Sequence, residues 1–529
     1  MSVVYVSFSF TVFLLVLSLF FYSSFSSWIV SFFPCSFLLN GLVEFTGCLD
    51  TTVIMCAVML FTCSLLAFIY CFHYYYGVLE AKFLFYLMVW FVGVMLVLIM
   101  TGSLVFTLVM WEYLGFVSFL LILFYSNSSG VRASLVTLFS SRFGDVGLFV
   151  VLVYIMSGGS FSSWFFFFSF FLIVISKSAG FPFISWLLEA MRAPTPVSSL
   201  VHSSTLVAAG VWFIVRYGYL IDSSCFFFIF VVSLFTIFVT GVSALFFVDL
   251  KKIVALSTCN NVAWCLVYYV CGDLNLVIFQ LLVHGVCKCA LFILVGDLMS
   301  SSGGSQSAIG LYLSRYGGVY GCILLVFLVF CLCGLPFIGI YFSKHFFFSA
   351  LVGSSYNIVL VLFVLLGFLL SYIYSFRLCL MVCCCIRGLP LGYLVSFLFV
   401  GVFVLLGSFF GWCILGLFEE LSCLSFSWSV FFLFVQIVGC FFGYLFYVLD
   451  YSGLFWVSVL FGSDSLIGLF YYTYNLLVGL SLLVFYRWEV DLLTTFGYLL
   501  GSRGSGLFVF SLNFIILGVF FYVVSCLVF

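Results

Sequence analysis

Residues 164–184 read WFFFFSFFLIVISKSAGFPFI, an apolar stretch with one charged side chain, Lys177, and one proline, Pro182. About 20 apolar residues are enough to cross a lipid bilayer as a helix. A lysine buried in such a helix normally faces a polar interior and an acid or water. Proline breaks a helix, which membranes tolerate only where the freed carbonyl groups meet protein or water. The stretch therefore predicts a transmembrane helix interrupted beside a functional lysine.

Similar stretches recur along all 529 residues, of which 67% are hydrophobic and 6% are charged. Because a soluble globular chain is about one quarter charged, a water-soluble fold is excluded. We predict an all-α polytopic membrane protein with about 15 transmembrane helices. The predicted spans are 3–22, 52–72, 82–101, 103–125, 133–156, 164–184, 194–217, 225–247, 253–272, 275–299, 318–342, 345–373, 390–411, 429–448 and 506–528.

Basic residues in the loops predict the orientation of these spans. Only Arg216 lies in a loop after an odd-numbered span. The loops after even-numbered spans contain Lys82, Arg132, Arg192, Lys251, Lys252, Arg315, Arg377, Arg387, Arg487 and Arg503. Since positive charge accumulates on the inner side of a membrane, the N-terminus is predicted to face that side.

Titratable residues inside the spans or directly at their ends are concentrated in the middle of the chain. They are the bases Arg142, Lys177, Lys288 and Lys344, the acids Glu112 and Asp145, and the histidines His202 and His284. Burial disfavours a charged side chain and a nearby opposite charge restores it, so moving one partner of a lysine–acid pair can release a proton. His284 and Lys288 lie one helical turn apart, which suits a relay. The pattern indicates a proton path.

Two spans carry a proline close to a buried lysine, Pro182 with Lys177 and Pro336 with Lys344. They are five spans apart and therefore cross the membrane in opposite directions, as inverted repeats with broken helices require. The predicted organisation is N-terminal spans at 1–81, a first repeat at 82–217, an inverted second repeat at 225–373 and C-terminal spans at 374–529. Within the last part, residues 450–505 fit a lateral helix along the membrane face or a loosely ordered loop.

Several strings resemble the antiporter-like, proton-conducting subunits of respiratory complex I and the related multisubunit cation/proton antiporters. They are SKSAGFPFISWLLEAMRAPTPVSSLVHSSTL at 176–206, WEYLGFVSFLLI at 111–122, RFGDVG at 142–147, DLKKIVALST at 249–258, FQLLVHGVCKCALF at 279–292 and LPFIGIYFSKH at 335–345. The likeness extends over about 80–390 in order. RFGDVG and FSK favour the subunit 5 branch.

The resemblance implies a role for each matching residue. Glu112 and Lys177 match the acid and lysine of the first half-channel, and Asp145 resembles a nearby acid of the subunit 5 branch. The matches continue with His202 after the PTPVS turn, His284 and Lys288 in the central relay, and Lys344 as the lysine that passes protons to the outer side.

Three positions qualify this assignment. Gln280 stands where relatives often have a histidine, so a water is predicted to replace that relay member. His345 follows Lys344 where the family has an acid, which leaves the partner of Lys344 open. His73 ends a span in a tyrosine-rich stretch and is predicted to be interfacial and dispensable.

The resemblance also implies the setting. It implies a multi-pass subunit of the mitochondrial inner membrane that translocates protons. The implied partners are lipids and other complex I subunits, especially the neighbouring antiporter-like subunit, and no nucleic acid is expected to bind. No dinucleotide fingerprint and no zinc or iron–sulfur cysteine spacing occurs in the sequence, so no cofactor or metal is predicted on this chain. NADH, FMN, iron–sulfur clusters and ubiquinone would bind partner subunits.

Three alternatives stay open at this point. A component of a sodium/proton antiporter shares the same motifs. A transporter of an organic solute would need a polar pocket near the middle of the membrane, whereas the buried polar residues here form a line. A purely structural membrane scaffold would leave the cost of burying four bases and two acids unexplained.

Overall fold

The computed structural model describes most of the chain between Phe45 and Leu449, together with shorter pieces on either side. The described residues are 28–33, 45–76, 78–157, 164–201, 205–221, 223–302, 304–307, 312–313, 318–336, 338–353, 358–383, 386–387, 426–449, 463–486, 490, 493–494 and 519. These residues are predominantly helical, and the predicted all-α membrane fold is confirmed.

Sixteen α-helices, with a short 3-10 helix at Gly218–Leu220, follow one another through this described part of the chain. They are Thr51–Tyr74 (α1), Glu80–Met100 (α2), Leu104–Ile122 (α3), Ser128–Met156 (α4), Trp164–Ser178 (α5), Ser185–Ala190 (α6), Thr195–Leu200 (α7), Leu206–Tyr217 (α8), Ser223–Ala244 (α9), Leu250–Val270 (α10), Leu274–Ser301 (α11), Gly318–Cys333 (α12), Tyr341–Gly353 (α13), Ile358–Cys383 (α14), Phe426–Val448 (α15) and Ser463–Tyr486 (α16). The strands are short. Trp28–Phe33 (β1) pairs antiparallel with Phe45–Leu49 (β2), and Tyr312–Leu313 (β3) pairs parallel with Ile386–Arg387 (β4).

Among the described residues, nine helices are long and apolar enough to cross a membrane: α1–α4, α9–α11, α14 and α15. Their sequences contain none of the six prolines of the chain, so every backbone group can be satisfied within its own helix, as a bilayer requires. The predicted spans 3–22 and 390–411 lie outside the described residues, as does 506–528 apart from Val519. The total of 15 spans and the inverted repeats stay predictions.

Both predicted helix interruptions are present. Helix α5 ends at Ser178, and the chain turns through Ala179, which has a φ of 55°, before Pro182. Helix α12 ends at Cys333, and the chain passes Pro336 before α13 begins. In this second break Gly339 has a φ of 53°, and a Cβ there would stand 2.7 Å from the carbonyl oxygen of Cys331. Only glycine fits that close approach.

The boundaries around the second break differ from the prediction. Lys344 falls between the predicted spans 318–342 and 345–373, whereas the structure places it in α13, the second half of the interrupted helix. The following span is α14, which extends to Cys383 and includes Arg377. Arg377 is therefore not a loop residue: it is buried and donates hydrogen bonds to the carbonyls of Ala244 and Phe247 at the end of α9.

Two smaller segments also bear on the predictions. The predicted span 194–217 contains α7 and α8, and residues 202–204 between them lie outside the described residues. The C-terminal residues from Asp464 onward form a separate compact unit, and α16 lies within 450–505. A helix there agrees with the first of the two readings of that segment, while its direction relative to the membrane stays a prediction.

Candidate proton path

The first cluster of buried charges joins helices α3 and α4. The guanidinium of Arg142 forms ion pairs with the carboxylates of Glu112 and Asp145, the latter at 3.3 Å. Asp145 is buried, whereas the Arg142 side chain is 48% exposed on the surface of the chain. One half-exposed base therefore bridges two acids, and any movement of that base would change the charge that both acids present to their surroundings.

Lys177 lies beside this cluster at the end of α5. Its side chain is fully buried, and its Nζ lies 5.2 Å from the centre of the Trp111 ring. Among the described residues, the ammonium group has no hydrogen-bond partner in the protein. It borders a cavity of about 10 Å³, room for about one water, which is lined by Ser118, Ile122, Thr137, Ser140, Ser141, Ser176, Lys177, Trp186 and Leu206. A buried ammonium facing several hydroxyl groups is suited to exchanging a proton with water.

Glycines in RFGDVG explain how Asp145 comes close to Lys177. A Cβ on Gly144 would overlap the hydroxyl of Ser176, and a Cβ on Gly147 would stand 2.6 Å from the carbonyl of Ser169. Helix α4 therefore packs closely on α5, against the Ser176 side chain at Gly144 and against the backbone at Gly147. The two glycines flank Asp145 in sequence and set the distance between its carboxylate and the lysine.

The central pair lies on α11 and faces α10. The ammonium of Lys288 donates hydrogen bonds to the hydroxyl of Ser257 and, at 3.2 Å, to the carbonyl of Val254. His284, one turn earlier, is buried, and its Nε2 has no protein partner among the described residues. Buried polar atoms of this kind are usually satisfied by ordered water. The arrangement suits a relay in which water connects the imidazole to its neighbours.

Helix α10 lies between the first cluster and the central pair, since it packs against both α5 and α11. It carries two buried asparagines, Asn260 and Asn261, one turn beyond Ser257. The amide of Asn260 donates to the carbonyl of Ile237 at 3.2 Å, while Asn261 has no protein partner among the described residues. These amides place buried polar groups on α10, the helix between the first cluster and the central pair.

Gln280 connects the central helix to the second broken helix. Its Oε1 accepts a hydrogen bond of 2.6 Å from the hydroxyl of Ser343 on α13, next to Lys344. Its Nε2 is buried and has no protein partner in the described part of the chain. The position where relatives often have a histidine is therefore a direct contact between α11 and α13. A water as the missing relay member stays a prediction.

Lys344 is held at the break itself. Its ammonium donates 2.7 Å hydrogen bonds to the carbonyl of Cys333 and to the hydroxyl of Ser371, and it lies 4.8 Å from the Tyr372 ring. Cys333 is the last residue of α12, where carbonyl groups lack helical partners and the helix dipole favours a cation. His345 contacts the rings of Tyr341 and Phe432. The local partner of Lys344 is thus a helix end and a hydroxyl, rather than an acid.

The structure brings together most of the predicted site residues. Glu112, Asp145 and Lys177 form one cluster, His284 and Lys288 a second, and Lys344 a third, while His202 lies outside the described residues. Sequence reasoning missed the partners Ser257 and Ser371, Trp111 beside Lys177, and Asp297, which forms a 3.2 Å ion pair with His73. In the described part of the chain, no group of three or more potential ligands could hold a metal ion.

Comparison with known proteins identifies the chain. The family described as "NADH:quinone oxidoreductase/Mrp antiporter, TM" matches residues 101–371, which is just over half of the sequence. The chain belongs to this family. The matched region of this NADH:quinone oxidoreductase/Mrp antiporter family includes the seven predicted site residues, from Glu112 to Lys344.

Two curated relatives are both named NADH-ubiquinone oxidoreductase chain 5. The protein of Ascaris suum is 34% identical over 379 residues, which cover 70% of this chain and 69% of the relative. That of Caenorhabditis elegans is 34% identical over 335 residues, covering 61% and 63%. These relatives confirm the predicted resemblance to the subunit 5 branch of the family.

A solved structure shares the fold of this family member. A chain of the Mrp complex from Dietzia sp. superposes with a TM-score of 0.68 at 19% identity, over 87% of this chain and 56% of that one. At this identity the likeness concerns the fold alone. Family, relatives and fold agree that the chain is a multi-pass membrane protein of the antiporter-like type.

Proposed function

We propose that the chain is the chain 5 subunit of NADH:ubiquinone oxidoreductase and that it carries protons across the mitochondrial inner membrane. The observation that carries this proposal is the series of three fully buried lysines, Lys177, Lys288 and Lys344. Two of them lie at interruptions of membrane helices and the third lies on the helix between. None has a carboxylate directly bonded to its ammonium in the described part of the chain, so each can gain and lose a proton without breaking an ion pair.

In this proposal, charge movement at one cluster changes the proton affinity of the next. Arg142 shields Glu112 and Asp145 while it is paired with them. When Arg142 moves away, the two exposed negative charges favour a proton on Lys177; when it returns, that proton is released. The same exchange continues through Lys288 and ends at Lys344, from which the proton leaves on the outer side.

The remaining features of the proposal follow from the subunit's place in its complex. The N-terminus faces the inner side, and the neighbouring antiporter-like subunit is the principal partner. The chain carries no redox group of its own. NADH, FMN, iron–sulfur clusters and ubiquinone are bound by partner subunits, and the energy of their electron transfer drives proton movement here.

Inverted membrane vesicles that contain the complex test this proposal. NADH oxidation is expected to acidify the vesicle interior equally in sodium-free and sodium-containing buffer. A cation/proton antiporter is the second candidate, favoured by the fold shared with the Mrp chain. Acidification that requires sodium would support it, and a complex lacking this chain that pumps the full number of protons would contradict the proposal.

Ser257 offers a local test because its hydroxyl is the only side-chain partner of the Lys288 ammonium among the described residues. We expect Ser257→Ala to slow NADH-driven pumping about tenfold, since hydrogen bonds to charged groups contribute about 1.5–3 kcal/mol. Pumping is measured as the initial rate of vesicle acidification per NADH oxidised. Ser134→Ala is the matched control, because that buried hydroxyl donates only to the carbonyl of Val131. Equal rates in the two variants would contradict the assigned role of Ser257.

A further inference from the structure

His73 and Asp297 form a 3.2 Å contact, which is an ion pair when the imidazole is protonated, at one end of the central helix and away from the residues assigned above. His73 is in the last turn of α1, and Asp297 is near the end of α11, two and a half turns beyond Lys288. Their side chains are 17% and 12% exposed. The pair is therefore mostly enclosed but open to water. The C-terminal ends of α1 and α11, which carry this pair, are on the side that the basic loops predict to be the inner one.

A hydroxyl pair lies near this ion pair, since the centres of the Tyr70 and His73 rings are 6.2 Å apart. The Tyr70 hydroxyl is 3.2 Å from the hydroxyl of Thr195 at the start of α7, and both side chains are buried. Gly296 makes room for them, because a Cβ there would overlap the Tyr70 hydroxyl and stand 2.9 Å from Cβ of Thr195. The residue before Asp297 thus packs against the Tyr70–Thr195 contact.

The polar column continues along α7 toward Lys288. Ser199 lies one turn beyond Thr195 and is fully buried. It is within hydrogen-bonding reach of the thiol of Cys289, the neighbour of Lys288 on α11. The same thiol lies 3.4 Å from the carbonyl of Cys63 on α1. Three helices therefore enclose a series of hydroxyl and thiol groups, each able to accept and donate a proton, between the ion pair and the turn of α11 that carries Lys288.

We propose that His73 and Asp297 form the inner-side proton entrance to Lys288. The pair takes one proton from inner water and passes one to the Tyr70 hydroxyl, which passes its own to Thr195. Ser199 and the Cys289 thiol relay a proton in the same way, and the neutral amine of Lys288 accepts the last one. Each hydroxyl accepts one proton and releases one, so the column is unchanged after a single proton has reached Lys288. Two further phenols, those of Tyr74 and Tyr125, lie near the Tyr70 hydroxyl. This inference depends on the proposed proton transport, and it replaces the expectation that His73 is dispensable.

The test uses inverted vesicles containing the whole complex, in which the inner side faces the medium and its pH can be set. Asp297→Asn is expected to lower NADH-driven pumping about tenfold at pH 8. At pH 6 the pumping rate of this variant should approach the unmodified rate, because protons then enter directly from water without the carboxylate. Tyr70→Phe should behave similarly, because it keeps the ring and its packing. Asp297→Glu should keep most of the activity. Glu189→Gln is the control, since it breaks a 2.9 Å ion pair with Arg192 outside the column.

Each outcome decides between the inference and its alternatives. Slow pumping that recovers on acidification supports the entrance. Slow pumping by the same factor at every pH indicates a structural role for the ion pair and overturns the inference. Normal pumping in both Asp297→Asn and Tyr70→Phe also overturns the inference. If Lys288→Met fails to pump in that case, the proposed function still stands. Normal pumping in Lys288→Met would instead contradict the proposed function itself.

Discussion

Replacing Lys177 with methionine is expected to lower NADH-driven proton pumping on the order of 100-fold, the scale of a positioned proton-transfer group. The variant should still assemble. The Lys177 ammonium has no protein hydrogen-bond partner in the described part of the chain, so its removal leaves no buried polar group without its bond. Methionine fills a similar volume beside Trp111. The measurement is the initial rate of vesicle acidification per NADH oxidised, with assembly checked by native electrophoresis.

Two further variants define this prediction. Glu112→Gln keeps the shape of the side chain and removes one of the two carboxylates paired with Arg142, so it should also impair pumping. Lys82→Met is the matched control because Lys82 is exposed near the start of α2. The assignment of the first half-channel fails if both Lys177→Met and Glu112→Gln pump at the rate of the control.

For Lys344, two substitutions should separate support of the fold from proton transfer. Lys344→Met leaves the Cys333 carbonyl and the Ser371 hydroxyl without their partner, at a cost of about 1–3 kcal/mol, and should reduce the amount of assembled complex. Lys344→Gln retains donors for these oxygens but has no proton to release near neutral pH. It should assemble normally and pump on the order of 100-fold more slowly.

The informative comparison is therefore between assembly and pumping in the two Lys344 variants. Native electrophoresis gives the amount of assembled complex, and acidification per NADH oxidised gives the pumping. Pumping by Lys344→Gln at the unmodified rate would show that the lysine serves only to tie α13 to α12. Ser349→Ala, which removes a buried hydroxyl that donates to the Phe346 carbonyl on the same helix, is a suitable control.

Uninterrupted helices were predictable from the sequence because length and hydropathy define them. The predicted span 225–247 corresponds to α9 and 253–272 to α10, each displaced by a few residues. The interrupted helix was harder, since its two halves are each too short to cross a bilayer and the break between Cys333 and Tyr341 contains apolar residues. Proline marked the existence of the break, but hydropathy could not show where the second half ended.

The candidate site was predictable only where charge was involved. A buried lysine or acid is costly, so it stands out in an apolar sequence, and Lys177, Lys288 and Lys344 were all found. Serines are common in membrane helices. Nothing in the sequence distinguishes Ser257 and Ser371, which bond to lysines 31 and 27 positions away, from the others. Such long-range contacts depend on helix packing, which sequence alone does not provide.

The hydrogen bond from Lys344 to Cys333 has a mechanical consequence. It fastens the first turn of α13 to the last turn of α12 across a bend that contains Gly334 and Gly339, both at positive φ. A charged donor makes a bond about twice as strong as a neutral one. The bend is therefore held more tightly while the lysine holds its extra proton than after that proton has left. Protonation of a single amine thus affects how firmly the two halves of the interrupted helix are joined, and a force that separates the halves would in turn favour loss of the proton.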